Sequence, residues 1–413
     1  MDAGMPFLRP ISDRYFEDYV EGDVHRFGTI VVGANEIVAF AKQFDPQAIH
    51  TDPEAAKSGP FGGLIASGWH TAGLMTRLFM EHYLTKVASL GSPGGDELRW
   101  VKPVRPGDTL SVCVTVLTAV PSKSKPDRGA VTSFIEVINQ ASEVVMTFKV
   151  VNIIAKRPMN AEQKYDRDFL LSAEKRNQLI DLWEVEKYGK DCFGNPNHVH
   201  LYGMPPKEWY DRGVRILART CLEAVKDPLG NKIGEDIAEV VARVPDKRPI
   251  GVIDPFAGSC NGLYAILKHL PGAKGIGFEV EPVVFDLTKR NIAHLNAPIE
   301  LIQGNYKDLI TARRRSADHR MIVFLAPPWG DALQPVTGLH LDSTKPPILE
   351  IVRDFEQVYC LQPVLYVTEV HEVNEPTSLK ALEVAFDWTD LRIYDVNVPG
   401  LQHGILLGTR RWT

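Results

Sequence analysis

Asp45 and His50 are the first residues along the chain whose types and spacing suit catalysis. They lie on a segment that contains Pro46, so they need not share a helix face, yet they can converge on one point. A carboxylate and an imidazole within reach of each other form a general acid–base pair. On spacing alone, a helix cap and a surface histidine are the simpler interpretation of these two residues.

A glycine-containing stretch over residues 60–69 follows this pair and leads into a long apolar segment. Backbone amides at the N-terminus of a helix are free donors, so the glycine amides here can hold a carbonyl oxygen as its negative charge grows. His70 comes next, and we interpret it as a core histidine of a buried helix.

A second candidate site begins at residues 252–262, where an apolar strand runs into a glycine-containing loop and then a helix. Glycines at the carboxyl end of a strand let a ligand approach the backbone, and open α/β sheets bind ligands there. The next strand ends near Glu279, whose carboxylate can accept both hydroxyls of a ribose. The sequence has neither the dinucleotide nor the P-loop spacing here, and Asp254 would repel phosphates but accept from a cationic amino acid. The pattern therefore points to S-adenosylmethionine.

The two strands that follow end in further polar and aromatic residues. Asn305 follows one of them, and its side-chain amide can meet an adenine. Pro327, Pro328 and Trp329 follow the other. Prolines donate no hydrogen bond and leave carbonyls exposed, and an indole face can stack on a planar or cationic group. This combination suits an amine that loses a proton while it gains a methyl group.

Four histidines are further candidates. His198 and His200 lie in residues 191–210, a segment rich in glycine, proline and aromatic residues. This segment is either a lid that supplies a proton acceptor or a long surface loop, and both interpretations stay open. His371 and His403 lie near the ends of late strands and are possible pocket residues.

The elements that must position the first pair alternate with period two over residues 109–154, which predicts antiparallel strands. The apolar segment over residues 62–90 predicts one long buried helix in front of them. A helix followed by such strands suggests a sheet wrapped around that helix.

The elements around the second site alternate between helix and strand, which predicts parallel units in a doubly wound sheet. Helices are expected at residues 213–225, 262–270 and 286–295, and strands at 250–256, 275–281, 299–304 and 321–329. Residues 156–168 are polar and contain Pro158, so we interpret them as a linker between two domains.

Length and composition limit the classes of protein to which the chain can belong. The 413 residues are too many for one ordinary core and suggest two or three domains. The net charge of −6 argues against a protein that binds nucleic acid mainly through its phosphates, because such proteins are usually basic. The five cysteines are odd in number and include no CxxC pair, which argues against a disulfide framework and against a zinc site of the usual spacing, and we expect no metal. No signal peptide or membrane-length apolar run is evident, so we expect a cytoplasmic protein.

Three motifs in the first 155 residues, DPQAIHTDPEAA, PFGGLIASGWHTAGL and LRWVKPVRPGDTL, resemble the MaoC-like hot-dog dehydratases. The resemblance implies an α+β hot-dog domain over residues 1–155 that is similar to (R)-specific enoyl-thioester hydratases. In that family an Asp and a His within D-x-N-P-[LIV]-H activate the water, which assigns the roles to Asp45 and His50. It also assigns the amide of Gly68 to the thioester carbonyl. Gln47 and Ala48 stand at the Asn and Pro positions of that pattern.

The motifs DPFAGSCNG, GFEVEP, QGNY and FLAPPWG resemble class I S-adenosylmethionine-dependent methyltransferases. They are most similar to the amino-group methylators with a [DNS]-P-P-[YFW] motif, and among these to the trimethylguanosine synthase-like group. The resemblance implies an α/β doubly wound, Rossmann-like domain over residues 169–413. Ala326 stands where the family has Asp, Asn or Ser. The resemblance implies that Asp254, Ala257 and Gly258 flank the methionine part of the cofactor. It implies that Glu279 holds the ribose and Asn305 the adenine. The Pro327 carbonyl and Trp329 would face the methyl acceptor.

These resemblances predict a bifunctional enzyme of small molecules. One activity is the hydration or dehydration of an acyl thioester of coenzyme A or a carrier protein, and the other is methyl transfer to an amino-type acceptor. One alternative is a methyltransferase whose hot-dog domain only dimerises or presents a thioester. A second is an RNA guanine N-methyltransferase, against which the acidic charge and Ala326 argue. A single hot-dog unit often pairs with another, so we expect a homodimer through this domain.

Overall fold

The computed structural model describes residues 6–158, 163–313, 318–334, 336–395 and 403–412. The chain divides into two compact units, residues 1–160 and residues 161–413. Part of the expected linker, residues 159–162, lies outside the described residues. The end of that linker belongs to the second unit, because Tyr165 is buried and residues Arg167–Leu170 are helical.

The first unit contains four α-helices and five strands among its described residues. Short 3-10 turns at Ile11–Asp13 and Phe16–Asp18 precede them. The elements in chain order are β1 (Val24–Val31), α1 (Ala34–Phe44), α2 (Ala48–Thr51), α3 (Pro53–Lys57), α4 (Gly68–His82), β2 (Ser89–Trp100), β3 (Thr109–Pro121), β4 (Arg128–Ile138) and β5 (Val144–Ala155).

The five strands of this unit form one antiparallel sheet in the order β1-β3-β4-β5-β2, and α4 packs against it. The predicted strands over residues 109–154 are therefore confirmed. The core joins Leu74 and Leu78 of α4 to Val112 and Val114 of β3 and to Ile135 of β4. The sheet thus wraps around the helix, as the sequence predicted.

The helix expected over residues 62–90 is shorter than predicted. Its N-terminus is fixed by Ser67, whose side chain caps α4, after a turn in which Gly62 and Gly63 have φ of 63° and 154°. The chain leaves the helix at Tyr83 and enters β2 at Ser89. One apolar run therefore contains a turn, a helix and the start of a strand.

The second unit begins with short elements packed around their own core, which includes Leu170, Val185, Trp209 and Ile216. In chain order they are α5 (Arg167–Leu170), β6 (Leu179–Ile180), α6 (Leu182–Phe193), α7 (Pro206–Asp211), β7 (Ile216–Leu217) and α8 (Thr220–Glu223).

The helix predicted over residues 213–225 forms only at Thr220–Glu223, and the prediction is wrong for the residues before it. Gly213 has a positive φ of 85°, and Ile216 and Leu217 pair with β6 instead. The consecutive residues from Val214 to Ala218 are all buried, so the run lacks the exposed face of a surface helix.

A seven-stranded sheet forms the rest of the second unit, in the order β10-β9-β8-β11-β14-β16-β15. Its pairs are parallel from β10 to β14, and β16 runs antiparallel to both of its neighbours. The main elements in chain order are α9 (Asp227–Ala242), β8 (Ile250–Asp254), α10 (Asn261–Lys268), β9 (Lys274–Glu279), α11 (Pro282–His294), β10 (Ile299–Gln303), α12 (Tyr306–Leu309), β11 (Arg320–Leu325), β12 (Leu333–Gln334), β13 (Gly338–Leu339), α13 (Ile348–Val358), β14 (Val364–His371), α14 (Pro376–Val384), β15 (Trp388–Tyr394) and β16 (His403–Arg410).

The predicted strands at the positions of β8, β9, β10 and β11 and the helices at α10 and α11 are confirmed. No bounds were predicted for the strands after β11, but His371 and His403 were expected near the ends of late strands, and they lie at the end of β14 and the start of β16. In the described part of the chain, no helix is long and apolar enough to cross a membrane.

Candidate active sites

Asp45 directly follows α1, and its carboxylate accepts hydrogen bonds at both oxygens. Oδ1 accepts from the Gln47 side-chain amide and Oδ2 from the Ser67 hydroxyl, each at 2.7 Å. The hydrogen bonds from Gln47 and then Ser67, with the nearby imidazole of His50, lower the pKa of Asp45. Asp45 is therefore ionised at neutral pH, the state that a general base needs.

His50 lies in α2 and is buried. Its Nδ1 lies 2.9 Å from the carbonyl oxygen of Ile65. Because a carbonyl only accepts, Nδ1 carries the proton, and the neutral ring keeps its lone pair on Nε2. Nε2 lies 3.5 Å from Oδ2 of Asp45. The structure thus brings the predicted pair together with the imidazole oriented by the backbone.

Ser67 and Gln47 hold Asp45, a role that was not predicted for either residue from the sequence. Ser67 is buried as the N-cap of α4, where its hydroxyl accepts from the Trp69 amide and donates to Asp45. A serine directly before an apolar helix is a common cap, which was the available signal. Gln47 occupies the Asn position of the resembled pattern and donates to the catalytic candidate itself.

Gly68 is the first residue of α4, and the indole of Trp100 lies directly against it. A Cβ at this position would lie 2.3 Å from Trp100 Cε2, so any larger residue would force the indole to shift. Its amide belongs to the first turn of α4, whose N–H groups have no carbonyl partner within the helix. Trp69 and Trp100 meet edge to face at 5.5 Å and are 59% and 49% exposed.

His70 is a core residue, as interpreted from the sequence. It is buried in α4 and stacks on Phe40 at a centroid distance of 4.8 Å. Burial lowers its pKa, although Glu36 at 3.7 Å acts in the opposite direction.

Asp254 ends β8 at the point where the sheet changes its winding direction. From β8 the chain continues to β9 on one side, while β11 is the neighbour on the other side. Ligands bind at such a switch point, outside the carboxyl ends of the strands. Asp254 is 3% exposed, and its Oδ1 accepts from the Phe256 amide at 2.9 Å. Burial, reinforced by the nearby carboxylates Glu279 and Glu369, raises the pKa of Asp254 to about 7.

Glu279 ends β9 and ties the glycine-containing loop to that strand. Its Oε2 accepts from the Gly258 amide at 3.1 Å, and its Oε1 accepts from the Glu281 amide at 2.8 Å. The Ala257 amide donates to the carbonyl of Phe278 on the same strand. Gly258 has a φ of 49°, and a Cβ there would meet no heavy atom nearer than 3.9 Å. The loop backbone is therefore open to a ligand beside Glu279.

Arg219 supports this strand end and was missed from the sequence. Its guanidinium donates to both oxygens of Glu281 at 3.2 and 2.5 Å, and its side chain is 9% exposed. The bidentate pair lowers the pKa of Glu281. Arg219 lies in the segment mispredicted as a helix, so no local pattern pointed to it.

Asn305 is exposed and caps α12, because its Oδ1 accepts from the Lys307 amide at 3.0 Å. Its side-chain oxygen is therefore used within the chain. The amide nitrogen and the second lone pair of the oxygen are left for the predicted contact with an adenine.

Trp329 is surrounded by the two late histidines. The His403 ring stacks on the indole at a centroid distance of 5.1 Å, and His371 meets it edge to face at 5.9 Å. Pro327, which lies in the sequence between β11 and Trp329, is buried. Nδ1 of His403 lies 3.0 Å from Oε1 of Glu369. The structure thus brings together Trp329, His371 and His403, which lie far apart in the sequence.

Residues 191–210 are not a long surface loop. Val199, Leu201 and Trp209 are buried, and the Trp209 indole donates to the Val199 carbonyl. Tyr202 donates from its hydroxyl to the Ser259 carbonyl at 2.6 Å, so the segment packs on the glycine-containing loop. His198 stacks on Phe193 at 3.6 Å, and burial lowers its pKa to about 4. His200 lies 3.9 Å from Asp227.

Cys260 packs in the core at the start of α10 with a φ of 58°. Among the described residues, no three His, Cys, Asp or Glu side chains gather into a group that could hold a metal ion.

Comparison with known proteins identifies the family of the first unit. A family described as "MaoC like domain" matches residues 18–134. The uncharacterized protein YdeM of Bacillus subtilis (strain 168) is 30% identical over 141 residues, which cover 34% of this chain and 98% of YdeM. The first unit is a hot-dog domain. Through this unit, the chain belongs to the MaoC-like dehydratase family.

Two further proteins resemble the same unit. The 3-hydroxyacyl-thioester dehydratase Z of Mycobacterium tuberculosis is 28% identical over 128 residues, which cover 30% of this chain and 85% of that protein. The solved structure of a MaoC-like dehydratase from Rhodospirillum rubrum has 43% identity and a TM-score of 0.34, and covers 35% of this chain and 99% of that one.

A different relative reaches a larger share of the chain. Trimethylguanosine synthase of Schizosaccharomyces pombe is 23% identical over 175 residues, which cover 42% of this chain and 64% of that protein. This partial likeness hints at a methyltransferase.

Proposed function

We propose that the first unit adds water reversibly to an α,β-unsaturated acyl thioester. The observation that carries this proposal is the ionised carboxylate of Asp45, held by Ser67, at 3.5 Å from Nε2 of His50. The family assignment supports it, and so does the relative named as a 3-hydroxyacyl-thioester dehydratase.

In the hydration direction, the Asp45–His50 pair takes a proton from water as the water oxygen bonds to the β-carbon of the thioester. The same pair returns a proton to the α-carbon. Negative charge develops on the thioester carbonyl oxygen, and the Gly68 amide donates to it. The acyl group is carried by coenzyme A or by a carrier protein.

A panel of enoyl thioesters of coenzyme A with increasing chain length, offered to the full chain, tests this activity. Loss of the conjugated enoyl absorbance with at least one substrate is the expected result. If none takes up water, the first unit is a non-catalytic domain for dimerisation or thioester presentation.

We further propose that this unit forms a homodimer. Strand β2 lies at the edge of the sheet, where β5 is its one partner among the described residues, and nearly all of its residues are exposed. An uncovered sheet edge offers unpaired backbone groups to a second strand. Light scattering on the purified protein measures the mass directly, and a monomer would contradict the proposal.

For the second unit we propose methyl transfer from S-adenosylmethionine to an amino-type acceptor. The residues fit this donor, because burial disfavours the charge of Asp254 and a cationic ligand group would offset that cost. Asp254, Ala257 and Gly258 would hold the methionine part, Glu279 the ribose and Asn305 the adenine. When bound, S-adenosylmethionine supplies an electrophilic methyl group, and its sulfur keeps the electron pair of the broken bond. The Pro327 carbonyl and Trp329 would orient the acceptor.

Calorimetry with S-adenosylmethionine tests this assignment. We expect binding to the full chain and no measurable binding to Glu279→Gln, since the substitution removes the ribose-binding charge. Glu235→Gln on the exposed face of α9 is the matched control and should bind normally. Equal affinity of all three proteins would show that the strand-end assignment is wrong.

A further inference from the structure

His403 and Glu369 lie at the same edge of the second sheet as Trp329. Strand β16 is antiparallel to β14, and His403 at its start pairs with His371 at the end of β14. Strand β11 is parallel to β14 and ends at Leu325, just before Pro327 and Trp329. Sheet geometry therefore places the start of β16 beside the proposed acceptor site.

The two side chains form a hydrogen-bonded dyad. Nδ1 of His403 lies 3.0 Å from Oε1 of Glu369, and the side chains are 24% and 12% exposed. An ionised carboxylate only accepts, so Nδ1 carries the proton and a neutral His403 keeps its lone pair on Nε2. The stack against Trp329 fixes the plane of the ring. The dyad thus presents one oriented proton acceptor.

The charged and titratable groups around this dyad come from several elements. Glu369 and His371 lie on β14, and His371 also meets Trp329. Glu369 is close enough to Asp254 at the end of β8 to help raise its pKa. It also interacts with Lys226, whose pKa burial lowers to about 8. The dyad is therefore within electrostatic reach of the proposed donor site.

Ala326 removes a group that the resembled motif would supply. A methyl group stands where Asp, Asn or Ser would accept a hydrogen bond from the acceptor. Prolines at 327 and 328 leave only backbone carbonyls as acceptors in that turn. A carbonyl oxygen orients an N–H group but does not take its proton at neutral pH, so the proton needs another destination.

We propose that His403 is the general base for the methyl acceptor and that Glu369 positions it. This inference rests on the methyl transfer proposed above. As the acceptor nitrogen bonds to the methyl carbon, the carbon–sulfur bond breaks and its electron pair stays on sulfur. The proton of the acceptor nitrogen passes to Nε2 of His403, and Glu369 stabilises the resulting imidazolium.

Two defined ligands test the placement of His403 without a known acceptor. S-adenosylmethionine carries a sulfonium charge, and S-adenosylhomocysteine has the same other charges without it. Histidine labelled at the ring carbon reports the titration of each imidazole by nuclear magnetic resonance, and the His403→Gln variant assigns the signal. A sulfonium beside His403 should lower its pKa by about one unit compared with the neutral thioether.

Two controls accompany this titration. His269, at the C-terminal end of α10, should titrate identically with both ligands. Glu369→Gln removes the partner charge but keeps an acceptor oxygen, so we expect the pKa of His403 to fall in that variant while the ligands still bind.

The outcomes separate the two proposals. If both ligands bind and His403 titrates identically with each, the base role is overturned and methyl transfer stands. If neither ligand binds in calorimetry, the proposed methyl transfer itself is overturned. A difference confined to His403, which the Glu369 variant changes, supports the dyad as proposed.

Discussion

Two carboxyl groups, Asp45 in the first unit and Asp254 in the second, are held in opposite ways. Asp45 accepts from two side-chain donors, and its pKa is lowered. Asp254 is buried near two other carboxylates, and its pKa is raised to about 7. The first is therefore a charged base before any substrate arrives, whereas the second depends on its ligand for a favourable charge.

The two units also use a common device. His50 donates from Nδ1 to the Ile65 carbonyl, and His403 donates from Nδ1 to Glu369. Both imidazoles therefore keep Nε2 as the proton acceptor when neutral. The difference lies in the partner, since a neutral carbonyl only orients the ring, whereas a carboxylate also stabilises its protonated form.

Replacing Asp45 with Ala should have the largest effect, because it removes the charged carboxylate of the first unit. We expect kcat/KM for enoyl-thioester hydration to fall about 10² to 10⁴-fold, because the ionised base is lost. The affinity for S-adenosylmethionine should not change. Glu54→Gln, an exposed carboxylate of α3, is the matched control. Hydration rates of Asp45→Ala close to those of this control would remove Asp45 from the mechanism.

Replacing Asp254 with Asn should stabilise the protein at high pH. The folded-state pKa of about 7 lies well above the ordinary range of an aspartate, so near pH 5 to 6 the folded state holds a proton that the unfolded state has lost. The stability of the wild type therefore falls as pH rises from about 4 to 7, by up to about 4 kcal/mol from this group. Asn keeps an oxygen for the Phe256 amide and has no charge to bury.

Thermal unfolding at pH 5 and pH 8 measures this effect. The midpoint of Asp254→Asn should rise relative to the wild type between the two values. Asp246→Asn is the control, because its pKa is shifted in the opposite direction to that of Asp254. Hydrogen bonds from Arg248 lower the pKa of Asp246 to about 2. That variant should be less stable than the wild type by the same amount at both pH values. If the difference in midpoint between Asp254→Asn and the wild type is the same at pH 5 and pH 8, this carboxyl is already charged at pH 5.

Replacing Gly68 with Ala tests whether the first site depends on close packing. The new Cβ would overlap the Trp100 indole, which should cost about 1 to 3 kcal/mol of stability and slow hydration. Gly73→Ala in the same helix has nothing within 4 Å of its Cβ, and it should gain about 0.5 to 1 kcal/mol. Urea titrations of both variants make the comparison. Equal stability of the two would contradict the packing argument.

Local patterns predicted the groups that do chemistry better than the groups that hold them. The pairs Asp45–His50 and Asp254–Glu279 were visible because they lie on short segments or at the ends of predicted strands. The Trp100 ring against Gly68 depends on the path of β2, and the Glu369–His403 contact depends on the register of β14 and β16. Such contacts arise from long-range pairing that no local spacing encodes.

The helix prediction around Arg219 failed for a related reason. Its apolar run has a helical composition, yet a positive φ at Gly213 and pairing with β6 override that propensity. Burial on all sides then erased the periodic pattern that would have corrected the prediction.

Replacing Ser67 with Ala is the finest test of how Asp45 is held. The hydroxyl stabilises the carboxylate by donating to Oδ2, so its loss should raise the pKa of Asp45. Because hydration needs the ionised form, the acidic limb of its pH–rate profile should move to higher pH by less than about one unit. The lost cap of α4 should also cost about 1 kcal/mol of stability. Ser67→Thr keeps the hydroxyl and should restore both quantities. An acidic limb that stays in place in Ser67→Ala would leave Gln47 as the donor that sets the charge of Asp45.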